Sequence, residues 1–506
     1  KFMKIVKNLT LIKKLSKRYK FKKLKLVLVH GVFDLIHPGH IDYFREAKSY
    51  GDILFASITM DKFVNKGFNK PYFNENDRMK FLSNLTLIDH VFCNNSPDST
   101  KLIEKLKPNY YVKGPDYKKK GGDVAGNLDK ENASVKKNGG KLIFTTGRMH
   151  SSTELLNSNF DEFNPAKKII RDYFKKNKNY KEPFNTILKK VLDKIKRDKI
   201  LIIGETIIDK YIYTTPLGKP SKEDILSVAI EKSVSYLGGT IPVVNNISEL
   251  NNNISLISFY KSEKIKKLIY KKLPKHINLK LFKTNNLRDI EKIRFLNENN
   301  SKIFENYNFV NKDLKNQKLK KFLNKNIRKF DHVIVCDFGH GLISKEILKI
   351  IETKSKYLSI NVQTNSGNRG YNLFSKYSKA NLLCLDEGEM RLGVSDRYSE
   401  RLELFKKPIL QRYKNVILTL GSEGHVLKLN KNKKFSFPAL SKKVIDTVGA
   451  GDAFYSFASC FVKYTKDDLL ISLIGGIAGA IQSNFIGHED RVKLKEIIKS
   501  INTLTK

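Results

Sequence analysis

Cysteine is scarce in this chain: its 506 residues include only four, namely Cys93, Cys336, Cys384 and Cys460. They lie far apart, and no two of them form a CxxC pair. A disulfide framework needs a dense set of cysteines, and a structural zinc site needs closely spaced pairs. The spacing therefore argues against both kinds of site, and we expect the protein to work in the reducing cytoplasm.

Long apolar runs are also missing. The N-terminal segment KFMKIVKNLTLIKKLSKRYK is basic and amphipathic, without the continuous apolar stretch of a signal peptide. The most apolar segment, LLISLIGGIAGAI at Leu469–Ile481, is too short and too rich in glycine to span a bilayer. We therefore expect neither a signal peptide nor a transmembrane helix, and no membrane partner.

Acidic residues are few relative to basic ones: 51 Asp and Glu face 95 Lys and Arg, which gives a formal charge of +44. Such a balance can indicate binding to nucleic acid or to an anionic surface. The lysines are spread along the whole chain among many Asn and Ile residues, however, and no recognition motif accompanies them. This distribution favours a compositional bias, so we expect small polyanions such as nucleotides and sugar phosphates rather than nucleic acid.

The length predicts two or three domains, and the hydrophobic content of 40% is sufficient for globular cores. Two blocks, residues 24–157 and 199–504, alternate short apolar runs with helical patterns. This alternation is typical of α/β domains with parallel sheets. The charged, glycine-poor stretch 158–198 between them predicts a helical linker. Ligands of such sheets bind at the carboxyl ends of the strands.

The first block contains the motif HGVFDLIHPGH directly after the apolar run LKLVLV. Pro38 suits the first turn of a helix, and His37 and His40 are three residues apart, hence on one helical face. The N–H groups at a helix start favour a bound phosphate. Two histidines at this spacing also suit a metal, and a plain turn is the third reading. From these residues alone the three readings stay open.

GVFDLIHPGH resembles the G-x-F-D-x-x-H-x-G-H signature of the cytidylyltransferase-like nucleotidyltransferases. The segments RMKFLSNLTLIDHVF, VKGPDY, NGGKLIF and HSSTELL follow in the order seen in the adenylyltransferase domain of the bifunctional heptose-phosphate kinase/adenylyltransferases. The resemblance implies a Rossmann-like domain that transfers a nucleotidyl group to a sugar 1-phosphate with release of pyrophosphate. It implies Mg²⁺ on the phosphates and His37 and His40 as catalytic groups that stabilise charge on the reacting phosphorus.

The same resemblance implies a set of nucleotide-binding residues: Gly31, Phe33, Asp34, Lys66, Arg78, Lys113, Ser152 and Thr153. Asp34 could instead be a helix cap, and Lys66 could be a solvated surface lysine. VKGPDY favours ATP as the nucleotide, whereas GRMHSSTE occupies a place where the glycerol-phosphate cytidylyltransferases also carry a Ser/Thr-rich segment. We expect ATP and keep CTP as the alternative.

The second block contains DTVGAGDAF at Asp446–Phe454. Gly449, Ala450 and Gly451 open a helix with small residues, which leaves N–H groups to hold an anion. Asp452 follows at once, where it could take a proton from a substrate hydroxyl. This combination suits phosphoryl transfer. The alternative is an ordinary helix start capped by Asp452.

DTVGAGDAF resembles the ribokinase-like (PfkB) sugar kinases, together with GETIIDKY, CDFGHG and LTLGSEG. The resemblance implies an α/β domain with a small β lid, and ATP as a substrate. It implies Asp452 as the catalytic base, an anion hole, an ATP site, a sugar site and magnesium ligands. The anion hole would consist of Gly449, Ala450 and Gly451, and the ATP site of Thr419, Gly421 and Gly424. The sugar site would consist of Asp209, Gly238, Gly239 and Asn245, and the magnesium ligands would be Glu387 and Glu389. Asp209 could instead belong to a turn, and the two glutamates could be solvated helix charges.

The second block departs from the heptose-type kinase at three places. Pro242 lies near the expected asparagine, so that Asn245 or Asn246 would have to substitute. NVQTNSGNRG stands where that kinase has Asp-Pro-Lys-Gly, and CLDEGE stands where it has Asn-x-x-Glu. The kinase domain also comes second here, whereas it comes first in the heptose enzyme. We therefore expect an intact base and anion hole beside an altered sugar pocket.

Together the two blocks predict a bifunctional enzyme that makes a nucleotide-activated sugar, such as ADP-heptose for surface lipopolysaccharide. One alternative is an active nucleotidyltransferase, with ATP or CTP, fused to a kinase-like module that binds sugar or regulates. Another is a nucleic-acid binder with enzyme-like domains. The oligomeric state stays open, with a homodimer as one option.

Overall fold

A computed structural model describes residues 4–64, 71–118, 127–146, 165–176, 183–284, 289–308, 316–430, 434–441 and 444–505. The chain divides into two compact units, Lys1–Asn164 and Pro165–Lys506. Both units combine helices with a largely parallel sheet. The predicted α/β class is therefore confirmed. Within the described residues, no helix is both long and apolar enough to cross a membrane.

The elements of the first unit alternate between strands and helices. They are β1 (Ile5–Val6), α1 (Leu9–Phe21), β2 (Leu26–Gly31), α2 (Pro38–Ser49), β3 (Ile53–Thr59), α3 (Glu75–Ser83), β4 (His90–Asn94), α4 (Thr100–Leu106), β5 (Tyr110–Lys113), α5 (Leu128–Lys137) and β6 (Lys141–Phe144). In the described part of this unit, all strand pairs are parallel, in the order β1-β4-β3-β2-β5-β6. From β2 the chain continues to β3 and β4 on one side of the sheet and then crosses to β5 and β6 on the other side. The topological switch point therefore lies between β2 and β5.

Strand β2 is apolar on both sides because helices cover both faces of the sheet. Leu26 and Leu28 belong to one core cluster, and Val27 and Val29 belong to the other. This division follows from the two-residue period of a strand. The unit also includes β1 and α1, which precede the predicted start of the first block at residue 24.

The second unit begins with two helices and contains two sheets. Its elements are α6 (Pro165–Lys176), α7 (Pro183–Arg197), β7 (Ile200–Gly204), β8 (Thr206–Gly218), β9 (Ser227–Gly239), α8 (Thr240–Ile247), β10 (Ile254–Tyr260), α9 (Glu263–Lys272), β11 (Asn278–Lys283), β12 (Glu291–Leu296), β13 (Lys302–Asn308), α10 (Gln317–Asn326), β14 (His332–Asp337), α11 (Lys345–Lys354), β15 (Leu358–Val362), β16 (Ala380–Asp386), α12 (Glu387–Val394), α13 (Arg401–Leu404), β17 (Tyr413–Thr419), β18 (His425–Leu429), β19 (Phe435–Phe437), α14 (Ala450–Tyr464), α15 (Asp468–Gln482) and α16 (Leu494–Leu504).

The main sheet of the described residues has the order β11-β10-β7-β14-β15-β16-β17-β18-β19. It is parallel from β11 to β17, and β18 and β19 are antiparallel additions. A small sheet with the order β13-β12-β8-β9 stands apart from it, as the predicted β lid requires. Helix α14, which begins at the DTVGAGDAF motif, is buried along most of its length. The carboxyl ends of the parallel strands therefore face the loops that carry the predicted site.

Helix α7 lies in the stretch predicted as a helical linker, and it packs against the second unit. Its side chains Leu188, Val191 and Ile195 are buried. Asp198, just beyond the helix, accepts a hydrogen bond from Lys463 Nζ of α14 at 2.8 Å. An apolar face at helical spacing thus attaches this segment to the core of the second unit.

Candidate active sites

The histidine motif lies at the switch point of the first sheet. Strand β2 ends at Gly31, between the neighbouring strands β3 and β5. His37 is the N-cap residue of α2, and Pro38 occupies its first turn, as the sequence predicted. The imidazole rings of His37 and His40 lie side by side, with centroids 3.9 Å apart. The structure therefore brings the two predicted catalytic imidazoles together at the start of a helix.

The turn before the helix is held in an unusual backbone conformation. Phe33 has a φ of +48°, which a bulky side chain rarely adopts. Its ring packs against that of His40 at a centroid distance of 5.6 Å, and a Cβ added at Gly31 would come within 3.0 Å of it. Strain of this kind persists only where the surrounding packing enforces it. Phe33 and Gly31 thus shape the turn and support His40.

Asp34 binds backbone N–H groups of the protein. Its two carboxylate oxygens accept hydrogen bonds from Tyr72 N at 2.8 Å and Phe73 N at 2.9 Å. The side chain is buried. In this structure Asp34 thus fixes the 72–73 backbone beside the histidine turn, and its nucleotide contact stays a prediction. The alternative role as a helix cap is also not observed, since α2 begins at Pro38.

Arg78, which we predicted to be a cationic phosphate clamp, is fully buried. Its guanidinium donates to the carbonyls of Phe73, Val32 and Thr59 at 3.0, 2.6 and 2.8 Å. It also forms an ion pair with Asp61 Oδ1 at 2.5 Å. A guanidinium has five N–H donors, and most of these are committed here to protein acceptors. The structure therefore assigns Arg78 to joining three loops around the site.

Lys113 lies in a buried ion pair with Glu131, at an Nζ–Oε2 distance of 3.1 Å. Glu131 also accepts hydrogen bonds from the Ser99 and Tyr111 hydroxyls. Burial acts to raise the pKa of Glu131, but the charge of Lys113, the interaction with His30 and the hydrogen bonds from Ser99 together outweigh it and lower the pKa to about 2. Burial, reinforced by Lys113, lowers the pKa of His30 to about 4. Lys113 is thus close to the end of β2 but neutralised by a partner that sequence reasoning missed.

Three predicted nucleotide-binding residues, Lys66, Ser152 and Thr153, lie outside the described residues. Within the described part of the chain, no group of three or more His, Cys, Asp or Glu side chains is arranged to hold a metal ion. Among the residues that it describes, the structure therefore shows no cluster of side chains that would support a metal site at HPGH.

In the second unit, Gly449 turns the chain into α14 with a φ of +81°. A Cβ at Gly449 would lie 2.5 Å from His488 Cε1, whereas a Cβ at Gly451 would meet nothing within 4 Å. The first N–H groups of a helix have no partner within the helix. The helix start at Gly451 therefore faces open space, as an anion site requires, whereas the Ala450 N–H donates to the carbonyl of Thr447 at 3.3 Å.

Asp452 follows in the first turn of α14, and its Oδ1 accepts a hydrogen bond from Gln363 Nε2 at 2.6 Å. Burial raises the pKa of Asp452 to about 7, against the effect of this hydrogen bond and with help from the charge of Asp209. A carboxylate with a pKa near the working pH is suited to accept a proton from a hydroxyl. The predicted base Asp452 is therefore held at the start of α14 with a raised pKa.

Asp209 is buried on strand β8 of the small sheet. Arg294 of β12 binds its Oδ1 at 2.5 Å, and His488 Nε2 lies 3.8 Å from its Oδ2. A Cβ on Gly238 would come within 1.8 Å of that same oxygen, so only glycine allows this approach. The predicted sugar-binding carboxylate therefore contacts two partners that the sequence did not indicate, and one of them, His488, also lies against Gly449 at the start of α14.

Asn245 lines a cavity of about 470 Å³ together with Tyr236, His488 and Arg491. Gly239, at the end of β9, has a φ of +63°, and a Cβ there would lie 2.4 Å from the carbonyl oxygen of Glu205. The glycine pair thus forms a tight joint between β9 and α8. His488 is shared by this cavity and the surroundings of Asp209.

The predicted ATP residues follow strand β17. Thr419 is its last residue, and its hydroxyl donates to the carbonyl of Leu385 at 3.4 Å. Gly421 and Gly424 have φ values of +56° and +104° and form a tight turn. A Cβ on Gly424 would lie 2.1 Å from the Phe437 carbonyl oxygen. The turn lies at the carboxyl end of a parallel strand, where ligands of such sheets bind.

Family models match both units. The cytidylyltransferase-like model matches residues 28–157, and the model of the pfkB family carbohydrate kinases matches residues 197–469. The second match alone covers more than half of the chain. The chain belongs to the pfkB family of carbohydrate kinases. Its N-terminal unit carries a cytidylyltransferase-like domain, so the predicted combination of domains is confirmed.

Curated relatives match the N-terminal domain of this pfkB family member. The Bifunctional protein HldE of Aliarcobacter butzleri is 37% identical over 123 residues, which are 24% of this chain and 25% of that protein. The protein of the same name from Geobacter metallireducens is 38% identical over 118 residues, 23% of this chain and 24% of its own length. The chain thus spans about a quarter of the length of the curated relatives that it matches.

Solved structures with a similar fold include a nucleoside kinase of Methanocaldococcus jannaschii from the ribokinase family. It is 19% identical, with a TM-score of 0.46, over 61% of this chain and 99% of that chain. Phosphofructokinase-2 from Escherichia coli in complex with potassium is 13% identical, with a TM-score of 0.49, over 61% of this chain and 100% of that chain. Likenesses at this level carry no argument about function.

The carboxylates predicted as magnesium ligands are engaged elsewhere in this pfkB family chain. Glu387 is bound by Arg391 at 2.7 Å and by Arg401 at 2.9 Å. Burial acts to raise the pKa of Glu387, but the hydrogen bonds from these arginines outweigh it and lower the pKa. Glu389 accepts the backbone N–H groups of Asp386 and Thr364 and completes the capping box of α12. Both carboxylates thus have protein partners in this arrangement, and their role as magnesium ligands stays a prediction.

Three residues near Asp209 and Asp452 were not identified from the sequence, namely Arg294, Gln363 and His488. Arg294 lies in a stretch of the second block that is rich in Lys and Asn and in which we recognised no sequence motif. Gln363 falls in NVQTNSGNRG, where the departure from the heptose-type kinase was the available signal. His488 follows α15 in a loop without a motif.

Proposed function

We propose that the chain is a bifunctional enzyme that makes a nucleotide-activated sugar. Its second unit would transfer a phosphoryl group from ATP to a hydroxyl of a sugar or sugar phosphate. Its first unit would transfer a nucleotidyl group to a sugar 1-phosphate, with release of pyrophosphate. The observation that carries the proposal is the position of Asp452, a half-buried carboxylate with a pKa of about 7 at the open start of α14.

In the proposed kinase reaction, Asp452 accepts the proton of the attacking hydroxyl. The first N–H groups of α14, among them that of Gly451, hold the negative charge of the transferred phosphoryl group. Catalysis of this kind depends on positioning and charge stabilisation rather than on a covalent intermediate. Magnesium enters with ATP as part of the substrate, and we assign no step to a carboxylate ligand because Glu387 and Glu389 are engaged elsewhere.

In the proposed nucleotidyl transfer, His37 and His40 stabilise charge on the reacting phosphorus. Their rings lie at the start of α2, where helix N–H groups also favour phosphate oxygens. We propose AMP from ATP as the transferred group and a heptose 7-phosphate-like sugar as the kinase substrate, because VKGPDY and its companion segments resemble the heptose adenylyltransferases. CTP stays the alternative, since all of GRMHSSTE lies outside the described residues.

A panel of sugar phosphates tests this proposal. Purified protein is incubated with ATP and each sugar phosphate, and ADP, pyrophosphate and nucleotide sugars are measured by mass spectrometry. We expect ADP release with at least one sugar phosphate, and its loss in Asp452→Asn. The absence of any Asp452-dependent ADP release across the panel would refute the kinase half.

The second candidate function is a nucleotidyltransferase fused to a kinase-like module that binds a sugar. The contacts that favour it are the ion pair of Arg294 with Asp209 and the arginines on Glu387. Calorimetric binding of a sugar phosphate without ADP release would support this candidate over the kinase.

A further inference from the structure

Gln363 follows strand β15 at its carboxyl end and is fixed by its own backbone. Its N–H donates to the carbonyl of Asp337 at 2.9 Å, and its carbonyl accepts from Asn372 Nδ2 at 2.9 Å. Its side chain extends to Asp452, with 2.6 Å between Nε2 and Oδ1. The same Nε2 lies 2.9 Å from Asn361 Oδ1. A side-chain amide held at this rigid place thus connects the main sheet to the base.

The orientation of the amide follows from its neighbours. Asn361 Nδ2 donates to the carbonyl oxygen of Cys384 at 3.0 Å, and a carbonyl can only accept. Asn361 Oδ1 must therefore face Gln363, which in turn must present its NH₂ group there. Turning the Gln363 amide over would place its oxygen against two acceptors, Asn361 Oδ1 and the Asp452 carboxylate. Both hydrogens of the Gln363 NH₂ group are thus committed, one to Asn361 and one to Asp452.

The hydrogen bond makes the two oxygens of Asp452 unequal. Oδ1 is occupied by Gln363, whereas no hydrogen bond from the described residues reaches Oδ2. A carboxylate oxygen that already accepts a hydrogen bond is less able to take up a proton. Oδ2 is accordingly the oxygen that can serve as the acceptor.

We propose that Gln363 is a positioning residue that holds the Asp452 carboxylate by Oδ1 and leaves Oδ2 to receive the proton of the substrate hydroxyl. The inference rests on the proposed kinase function of the second unit. The donated hydrogen bond also favours the charged form of the carboxylate. Gln363 therefore keeps Asp452 ionised at lower pH than burial and the charge of Asp209 would allow.

The variant Gln363→Met tests this, because methionine has a similar length and no donor. Loss of a donor to the charged form raises the pKa of Asp452, so the acid limb of the pH profile of kcat/KM for ADP release moves to higher pH. We expect a shift of about one pH unit, which is about a tenfold loss of kcat/KM below the limb. Gln363→Lys supplies a donor and a positive charge, so its acid limb should move to lower pH.

A matched control is Gln411→Met, the same substitution at a glutamine whose Nε2 donates to the backbone carbonyl of Phe405 at 3.1 Å. It should leave the acid limb unchanged. A variant of Gln363 that lowered the melting temperature or raised KM while keeping the wild-type acid limb would contradict the proposal, because a merely structural glutamine would behave in that way.

A second readout does not depend on turnover. The carboxyl ¹³C resonance of Asp452 is assigned by its disappearance in Asp452→Asn and is then titrated in wild-type protein and in Gln363→Met. We expect the titration midpoint to rise by about one pH unit in the methionine variant. Equal midpoints would overturn the proposal. If wild-type protein released no ADP, the kinase function would fail, while the titration would still decide what Gln363 does to Asp452.

Discussion

Single charged residues around the histidine turn are bound by the protein itself. Arg78 donates to three backbone carbonyls and to Asp61, and Lys113 is paired with Glu131. A buried cation without partners would be costly, and these partners make the burial tolerable. Among the described residues, Arg78 and Lys113 thus hold together the surroundings of the predicted histidine pair.

The role of Arg78 predicts a loss of stability rather than of nucleotide affinity. In Arg78→Met the carbonyls of Val32, Phe73 and Thr59 lose their donor, and each buried unsatisfied group costs about 1–3 kcal/mol. We expect the free energy of unfolding to fall by about 3 kcal/mol or more, measured by urea unfolding and circular dichroism. Asp61→Asn should cost less, because Asp61 is partly exposed. A raised KM for the nucleotide at unchanged stability would instead favour the phosphate clamp.

The pair of Lys113 and Glu131 predicts a specific dependence of stability on pH. The pKa of Glu131 falls from 4.5 to about 2 on folding, so its contribution is present above pH 4.5 and is lost as the pH falls towards 2. Glu131→Gln leaves the Lys113 charge buried without its counterion, which costs about 3–5 kcal/mol at neutral pH. The difference between wild type and variant should shrink as the pH falls through this window. Glu104→Gln, at an exposed glutamate of α4, is the matched control and should show no such difference.

Which residues could be predicted depended on where their partners lie in the sequence. Asp452 was found because Gly449 to Gly451 precede it directly, and His37 and His40 were found because one turn of helix joins them. Arg294 and His488 come to Asp209 from distant elements, so no local pattern could place them there. The exclusion of Arg78 from solvent likewise arises from loops that meet only in the folded chain.

At the scale of elements, the apolar strands and the helix starts could be predicted from the sequence pattern, whereas the strands of the small sheet could not. Strands β2 and β14 are buried on both faces and appear as continuous apolar runs. Strands β12 and β13 carry charged and polar residues at many positions, because much of the small sheet is exposed. In a chain this rich in Lys and Asn, such strands resemble loops.

The joint between β9 and α8 gives a prediction at this scale. Gly239→Ala must place a Cβ at a φ of +63° and 2.4 Å from the Glu205 carbonyl oxygen, so both conformation and space oppose it. The matched control is Gly218→Ala, which also has a positive φ, +95°, but meets nothing within 4 Å. We expect the first variant to lose about 1–3 kcal/mol more than the second in the free energy of unfolding, measured by urea titration. Equal losses would mean that the backbone conformation alone decides the outcome.

At the scale of the whole molecule, the two units carry separate sets of reacting groups. The described part of the first unit holds its own imidazole pair, and the second holds its own base and helix start. The charge of +44 is spread over a chain that is proposed to handle triphosphates and sugar phosphates, and it favours the arrival of such anions at both units. If the proposed reactions are consecutive, the product of one site is the substrate of the other.

This separation predicts that two inactive variants restore the pathway when mixed. Asp452→Asn should block ADP release, so that it forms no sugar 1-phosphate but keeps an intact histidine pair. His37→Ala should release ADP and accumulate the sugar 1-phosphate, because its base at Asp452 is untouched. Mixed in solution with ATP and a sugar phosphate, they should yield the nucleotide sugar, measured by mass spectrometry, whereas each alone should yield none. Loss of ADP release in His37→Ala, or a mixture that yields no nucleotide sugar, would show that the sites depend on each other and would contradict two independent reactions.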